Sequence, residues 1–314
     1  MKVESIKGIG EKTARKLRQS GYISAEILAF ADPNEIHQRA GIGKDTAVKL
    51  VREARKALKV GFLTGVEYET ISNDTYKYFT TGLSNVDTLL GGGIRLGRIT
   101  EFYGPPRSGK TQMVHQLSVT VQLPLDKGGA EGVVAIIDTE STFSPKRIDV
   151  IAKRFGLDPA TTKNRIFVAQ AATSDMVLEL VYNEIPSLLE SKPIKLIAID
   201  SLTSTFRAEY VGLESLKERQ QIINRMLHFL MRLAIAEKIA VVVTNQVIAQ
   251  TTPYGPSLVA AGGYVVGHMS TYRIKLRRKG SEGNVVVKLE DAPDLPEGET
   301  TIRIGDAGLD VVNE

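Results

Sequence analysis

Residues 104–111 read Gly-Pro-Pro-Arg-Ser-Gly-Lys-Thr. An apolar, strand-like run (Arg98–Tyr103) precedes them and a helix-like run (Thr111–Val121) follows. The spacing Gly-x4-Gly-Lys-Thr constrains the fold strongly, because it works only where a strand delivers the loop and a helix begins as the loop ends. Gly104 and Gly109 let the backbone bend until successive N–H groups point inward. The helix adds its positive end, Lys110 reaches the terminal phosphates, and the Thr111 hydroxyl is placed for Mg2+. Pro105, Pro106, Arg107, Ser108 and the first helical turn through Gln112 complete a cradle for ATP.

From Phe79 onward strands alternate with helices, which predicts right-handed βαβ units and an α/β core with a mostly parallel sheet. Core strands are expected at Gly132–Asp138, Arg165–Ala169, Lys195–Asp200 and Ile239–Asn245 as well as before the loop. Several are continuous apolar runs, as in strands covered on both faces. Helices are expected at Pro145–Phe155, Met176–Glu190 and Leu216–Glu237. After Gly267 the runs Thr271–Arg277, Asn284–Glu290 and Thr300–Ile304 read as antiparallel strands ending the sheet.

Two strands deliver acids to the carboxyl edge, where α/β sheets hold their ligands. Asp200 ends Lys195-Leu-Ile-Ala-Ile and is expected to hold magnesium through water. Glu140, in Asp138-Thr-Glu, is expected to polarise the attacking water, with pairing to a cation as the alternative. Gln246 follows a third strand with an amide able to touch the γ-phosphate.

The first sixty residues differ. They hold 13 of the 40 Lys and Arg but 7 of the 36 Asp and Glu. Gly8-Ile-Gly10-Glu-Lys-Thr-Ala-Arg-Lys-Leu matches Gly41-Ile-Gly43-Lys-Asp-Thr-Ala-Val-Lys-Leu at seven of ten positions. Each copy is a glycine hairpin opening a helix, and two shorter helices (Ser24–Phe30 and Pro33–Arg39) are expected between them. Backbone N–H groups at Gly8, Gly10, Gly41 and Gly43, flanked by Lys7, Lys12, Lys44 and Lys49, suit the sugar-phosphate chain of DNA; a helical protein-docking module is the alternative. Residues 1–58 are read as this helical domain, 59–76 as a linker without sustained helical period, and 77–314 as the core. The chain has no cysteine, which excludes thiolate chemistry and disulfides. Its apolar stretches fall far short of the roughly 20 residues of a membrane span, and the expected setting is soluble and intracellular.

In this order, the tandem hairpins, Phe79-Thr-Thr-Gly-Leu, the Leu89–Gly97 turn, the phosphate loop, Asp138-Thr-Glu140, Asp200-Ser-Leu-Thr-Ser, Glu218-Arg-Gln-Gln and Thr244-Asn-Gln-Val resemble the archaeal RadA recombinases, relatives of bacterial RecA. The resemblance spans essentially the whole chain. It implies a RecA-like ATPase core behind a helix-hairpin-helix domain, and a DNA-dependent ATPase that forms a homo-oligomeric filament or ring. It also implies binding of single- and double-stranded DNA, homologous strand exchange in recombinational repair, and a cytoplasmic, nucleoid-associated location. Arg147 would then lie against the adenine, and Asp291 to Pro296 would cap a neighbour's nucleotide. Phe62 would plug into the adjacent core, with Gly65 where alanine is usual. The segments Ser204–Arg219 and Val247–Gly267 resemble the two DNA-binding loops; the second reads as a loop of about twenty residues. Arg207 and Arg219 in the first could reach phosphates or pair with Glu209, Glu214 or Glu218. Leu213 stands where arginine is common, Arg107 where a smaller residue is favoured, and Ser141 and Ser144 where Gly and Arg are typical. A diverged paralogue acting as a recombination mediator is the alternative function.

Overall fold

The computed structural model describes residues 1–75, 77–212, 214–252, 255–280 and 282–312, with backbone alone at 71–75, 250–252 and 255–257. Leu213 lies outside the described residues. The chain opens with four helices, α1 (Glu11–Gln19), α2 (Ala25–Phe30), α3 (Pro33–Ala40) and α4 (Lys44–Ala57). Ser24 and Asp32 cap α2 and α3 by accepting from Ile27 N and Asn34 N, each satisfying a donor that has no helical partner. Gly10 and Gly43 are the N-caps of α1 and α4, while Gly8 and Gly41 take the left-handed φ of +90° and +59° that turns each hairpin. The hairpins lie side by side, since Lys16 Nζ donates to Gly41 O at 3.3 Å.

Within residues 59–76, where no sustained helical period was expected, α5 (Gly65–Thr75) is helical. Its start is a capping box, with Glu67 N donating to Thr64 Oγ1 at 3.3 Å and Thr64 N to Glu67 Oε2 at 2.8 Å. Residues 65–70 are all exposed. A helix with no apolar face leaves no periodic signal; the Thr64-x-x-Glu67 spacing was the available one.

Two short strands, β1 (Tyr78–Phe79) and β2 (Ile94–Arg95), pair antiparallel around α6 (Ser84–Leu89). The core then runs β3 (Ile99–Tyr103), α7 (Lys110–Thr120), β4 (Val133–Asp138), α8 (Pro145–Arg154), α9 (Pro159–Asn164), β5 (Ile166–Gln170), α10 (Ser174–Glu179), α11 (Ile185–Ser191), β6 (Ile194–Asp200), α12 (Ser204–Glu209), α13 (Leu216–Glu237) and β7 (Ala240–Asn245). It continues with β8 (Val247–Thr252), β9 (Gly255–Ala260), α14 (Gly263–Met269), β10 (Tyr272–Lys279), β11 (Asn284–Asp291), β12 (Gly298–Gly305) and β13 (Gly308–Val311). The nine-stranded sheet has the order β13-β12-β11-β10-β3-β7-β6-β4-β5. Strands β10, β3, β7, β6, β4 and β5 are parallel, and β11 to β13 extend the sheet antiparallel. Every residue of β3, β4 and β7 is buried, at about 1.5–3 kcal/mol for each large apolar side chain.

Two further expectations are corrected. Val247–Gly267 is an antiparallel hairpin (β8 with β9) followed by most of α14, because a β ladder tolerates the glycine and proline that suggested a loop when they sit at its edge. The single helix expected over Met176–Glu190 is interrupted by a π turn at Leu180–Glu184.

Candidate active site

Parallel register sets the site. β3 ends at Tyr103, β4 at Asp138, β6 at Asp200 and β7 at Asn245, all on the carboxyl edge. The loop after β3 needs glycine at its first position: a Cβ on Gly104 would lie 2.1 Å from the backbone oxygen of Leu276. Gly109, with φ +96°, caps α7, and Arg107 also takes a left-handed φ of +62°, uncommon for a residue other than glycine. Lys110 Nζ donates to Gly104 O and Pro105 O, both at 2.9 Å. Burial pulls the Lys110 ammonium below its usual range, opposed by the charges of Asp200 and Glu140. The Ser108 hydroxyl is buried without a partner among the described residues.

Asp200 accepts a hydrogen bond from the Thr244 hydroxyl. Burial raises its carboxyl above the usual range, while the Thr244 and Thr111 hydroxyls act the other way. The Thr111 and Asp200 side chains thus lie against one another beside the phosphate loop. Among the described residues no cluster of three His, Cys, Asp or Glu could hold an ion alone. Magnesium arriving on phosphates needs only one or two protein oxygens, so this sparse donor set and the open phosphate cradle fit a Mg2+-nucleotide.

Glu140 is held from two sides. Its Oε1 accepts from Ser201 Oγ and from Gln246 Nε2, each at 2.9 Å, and Oε2 has no hydrogen bond among the described residues. Thr139 ties β4 to the next strand end: its Oγ1 donates to Ser201 O at 2.9 Å and accepts from Ser201 N at 2.8 Å. Nothing local to Ser201 implies this role except its place immediately after Asp200. Asp138 faces the other way, accepting from the N–H groups of Glu140, Thr142 and Phe143. It folds the turn in which Ser141 takes φ +54°, a conformation that glycine adopts without steric cost.

The cavity over the loop is about 410 Å³ and is lined by residues 106–112, Glu140, Thr142, Asp200, Gln246, Arg278 and Ile304. Arg278, an exposed cation, and Ile304 come from β10 and β12, too far along the chain for local spacing to reveal. A larger cavity of about 670 Å³ lies between the helical domain and α13, away from these groups. Arg147 is tied down by Gln112 Oε1 at 2.7 Å and by Gly305 O at 2.6 Å, so the free surface of its guanidinium is its planar face. Beneath it His115 is buried, accepts from Ser144 N at 2.9 Å, and has its imidazole pushed down to about 4 by burial and by Arg147.

Other predicted residues lie elsewhere. Asp291 pairs with Arg273 near the start of β10, toward the edge of the sheet opposite the phosphate loop, and Pro296 follows it; neither reaches this chain's own cavity. Arg207 is exposed on α12. Arg219 donates to Tyr210 O at 3.3 Å. Neither arginine has an ion pair among the described residues, and Glu209 is occupied by Ser174, whose N–H it accepts at 2.8 Å. Phe62 is fully exposed.

The model of the Rad51 family matches residues 74–312, and that of the SAM-like helix-hairpin-helix tandem matches residues 1–56. The DNA repair and recombination protein RadA of Aeropyrum pernix is 44% identical over 309 residues, covering 98% of this chain and 96% of that protein. The chain belongs to the Rad51 family, in its archaeal RadA branch. For a Rad51-family chain the α/β RecA-like core and its hairpin domain are the expected architecture, and both are present. No described helix is long and apolar enough to cross a membrane.

Proposed function

We propose that this chain is a DNA-dependent ATPase that assembles on single-stranded DNA and carries out homologous pairing and strand exchange in recombinational repair. The observation that carries the reading is Glu140, fixed by Ser201 and Gln246 over a phosphate cradle with one carboxylate oxygen unpartnered among the described residues. A mediator that did not turn ATP over would have no use for an acid so oriented. ATP with Mg2+ supplies the phosphoryl group whose transfer to water is the reaction. Loop amides and Lys110 bind the triphosphate, Thr111 and Asp200 hold the ion, and Glu140 aligns the water by accepting its hydrogen bond. Gln246 joins the site to the DNA face: its side chain touches Glu140, its carbonyl accepts from Ala261 N at 2.8 Å, and β8 starts at the next residue.

Assembly follows from what one copy leaves incomplete. Phe62 has no packing of its own. A cavity of about 310 Å³ lies beside edge strand β5, lined by Phe167, Ala169, Leu180, Ile185 and Leu188. A second copy's Phe62 is the occupant this reading assigns to it, and a neighbour's Asp291–Pro296 would cap this nucleotide. Arg147 presents its face to the adenine, and Arg207, Arg219 and the β8–β9 hairpin meet the strand. The paired glycine hairpins bind duplex phosphates. The test is ATP hydrolysis with and without single-stranded DNA, beside joint-molecule formation between homologous strands. DNA-stimulated hydrolysis with pairing is expected; neither in the presence of Mg2+-ATP would overturn the reading.

A further inference from the structure

Pro186 lies inside a run patterned as one helix. Proline has no N–H for the carbonyl four residues earlier, that of Tyr182, and its ring crowds that oxygen. The chain absorbs the defect in the π turn, where Ile185 N bonds Leu180 O, between α10 and α11. Such turns are frequent at functional sites.

A donor for Tyr182 O comes from the helical domain. Arg39 Nη2, on α3, donates to it at 3.0 Å. The same guanidinium lies 4.3 Å from the Tyr182 ring centroid and 4.9 Å from that of Phe229, two rings that meet edge-on. Gly21, at φ +84°, brings the domain's backbone so close that a Cβ there would stand 2.6 Å from Tyr182 O and 3.1 Å from Pro186 Cγ. The helical domain therefore docks on the point where proline breaks the helix. Leu180 and Glu184, of the same five-residue turn, line the cavity beside β5.

We propose that this π turn couples the two: Arg39 seated on Tyr182 sets the cavity wall that receives a second copy's Phe62, so docking of the hairpin domain and capture of a neighbour favour one another. The inference rests on the reading of that cavity given above. Coupling between two binding events is reciprocal, so occupation of the cavity also holds the domain down.

The test uses the full chain carrying Phe62→Ala and a fluorescent peptide with this chain's sequence from Lys59 to Val66. Arg39→Ala in that background weakens peptide binding at least fivefold and speeds amide exchange over residues 180–192. Pro186→Ala gives Tyr182 O a helical partner, and, as a substitution by the best helix former, keeps the chain folded; it weakens the peptide likewise. In the reverse direction, saturating peptide slows exchange in residues 18–40 of the Phe62→Ala chain. Equal peptide affinity in all three proteins overturns the coupling while leaving the cavity reading intact. No peptide binding to any of them removes the cavity reading, and the coupling with it.

Discussion

Ser201→Ala isolates the contact that orients the candidate water-activating acid. The substitution removes one hydroxyl from a side chain that is 1% exposed and bonded to Glu140 Oε1 at 2.9 Å. A hydrogen bond to a charged acceptor contributes about 1.5–3 kcal/mol. Glu140 is exposed in the single chain, so the low end applies, about 1.5 kcal/mol, or roughly tenfold in kcat. Gln246→Ala removes the other donor to the same oxygen and should cost a similar factor. Because either loss alone frees the carboxylate to rotate, the double variant should fall short of the product, near about 30-fold rather than 100-fold. The assay is steady-state ATP hydrolysis on saturating single-stranded DNA, with nucleotide affinity measured separately. The orienting role requires kcat to fall while nucleotide affinity holds. A full kcat in Ser201→Ala, or a loss confined to nucleotide affinity, would refute the reasoning.

Four more outcomes follow. Glu140→Gln should abolish turnover yet keep DNA binding, checked by filter binding with ATP; equal loss of both would count against Glu140. Gly104→Ala should fail to bind nucleotide and melt earlier, because its Cβ would meet Leu276 O at 2.1 Å; calorimetry checks both. A Cβ at Gly10 or Gly43 has room in the free chain, where nothing lies nearer than Thr46 Oγ1 at 3.8 Å and φ is negative; Gly10→Ala and Gly43→Ala should weaken duplex binding while costing at most about 1 kcal/mol of stability as poorer N-caps, by anisotropy and thermal melting. His115 accepts a backbone N–H that protonation would break, and its folded pKa of about 4 lies below the usual 6.5. The unfolded chain binds the proton first, so its contribution is complete above pH 6.5 and is lost as pH falls toward 4, about 3 kcal/mol at most. His115→Gln should flatten this part of a denaturation series against pH.

The sequence announced what local chemistry dictates. The phosphate loop and the apolar strands of the parallel sheet depend on residues within a few positions of one another, and α13 has the bounds expected of it. Contacts between distant segments were not legible: Arg278 and Ile304 reach the cavity from β10 and β12, and Ser201 acquires its role only because Thr139 locks two strand ends together. Composition misled at β8 and β9, where glycine, proline and threonine disguised a hairpin. At Pro186 the opposite occurred, since the signal for a broken helix stood in the sequence and the surrounding periodicity overrode it. The docking of the hairpin domain through Arg39 and Gly21 left no trace at all, because neither residue type in isolation implies a partner.

Strand exchange by this chain requires ATP to be gripped between its copies around a DNA strand. Sedimentation velocity of the purified chain with Mg2+-ATP and a long single strand measures that directly. Large DNA-bound assemblies that revert to small species in Phe62→Ala are the predicted result; a chain that stays monomeric with both ligands in excess would contradict it.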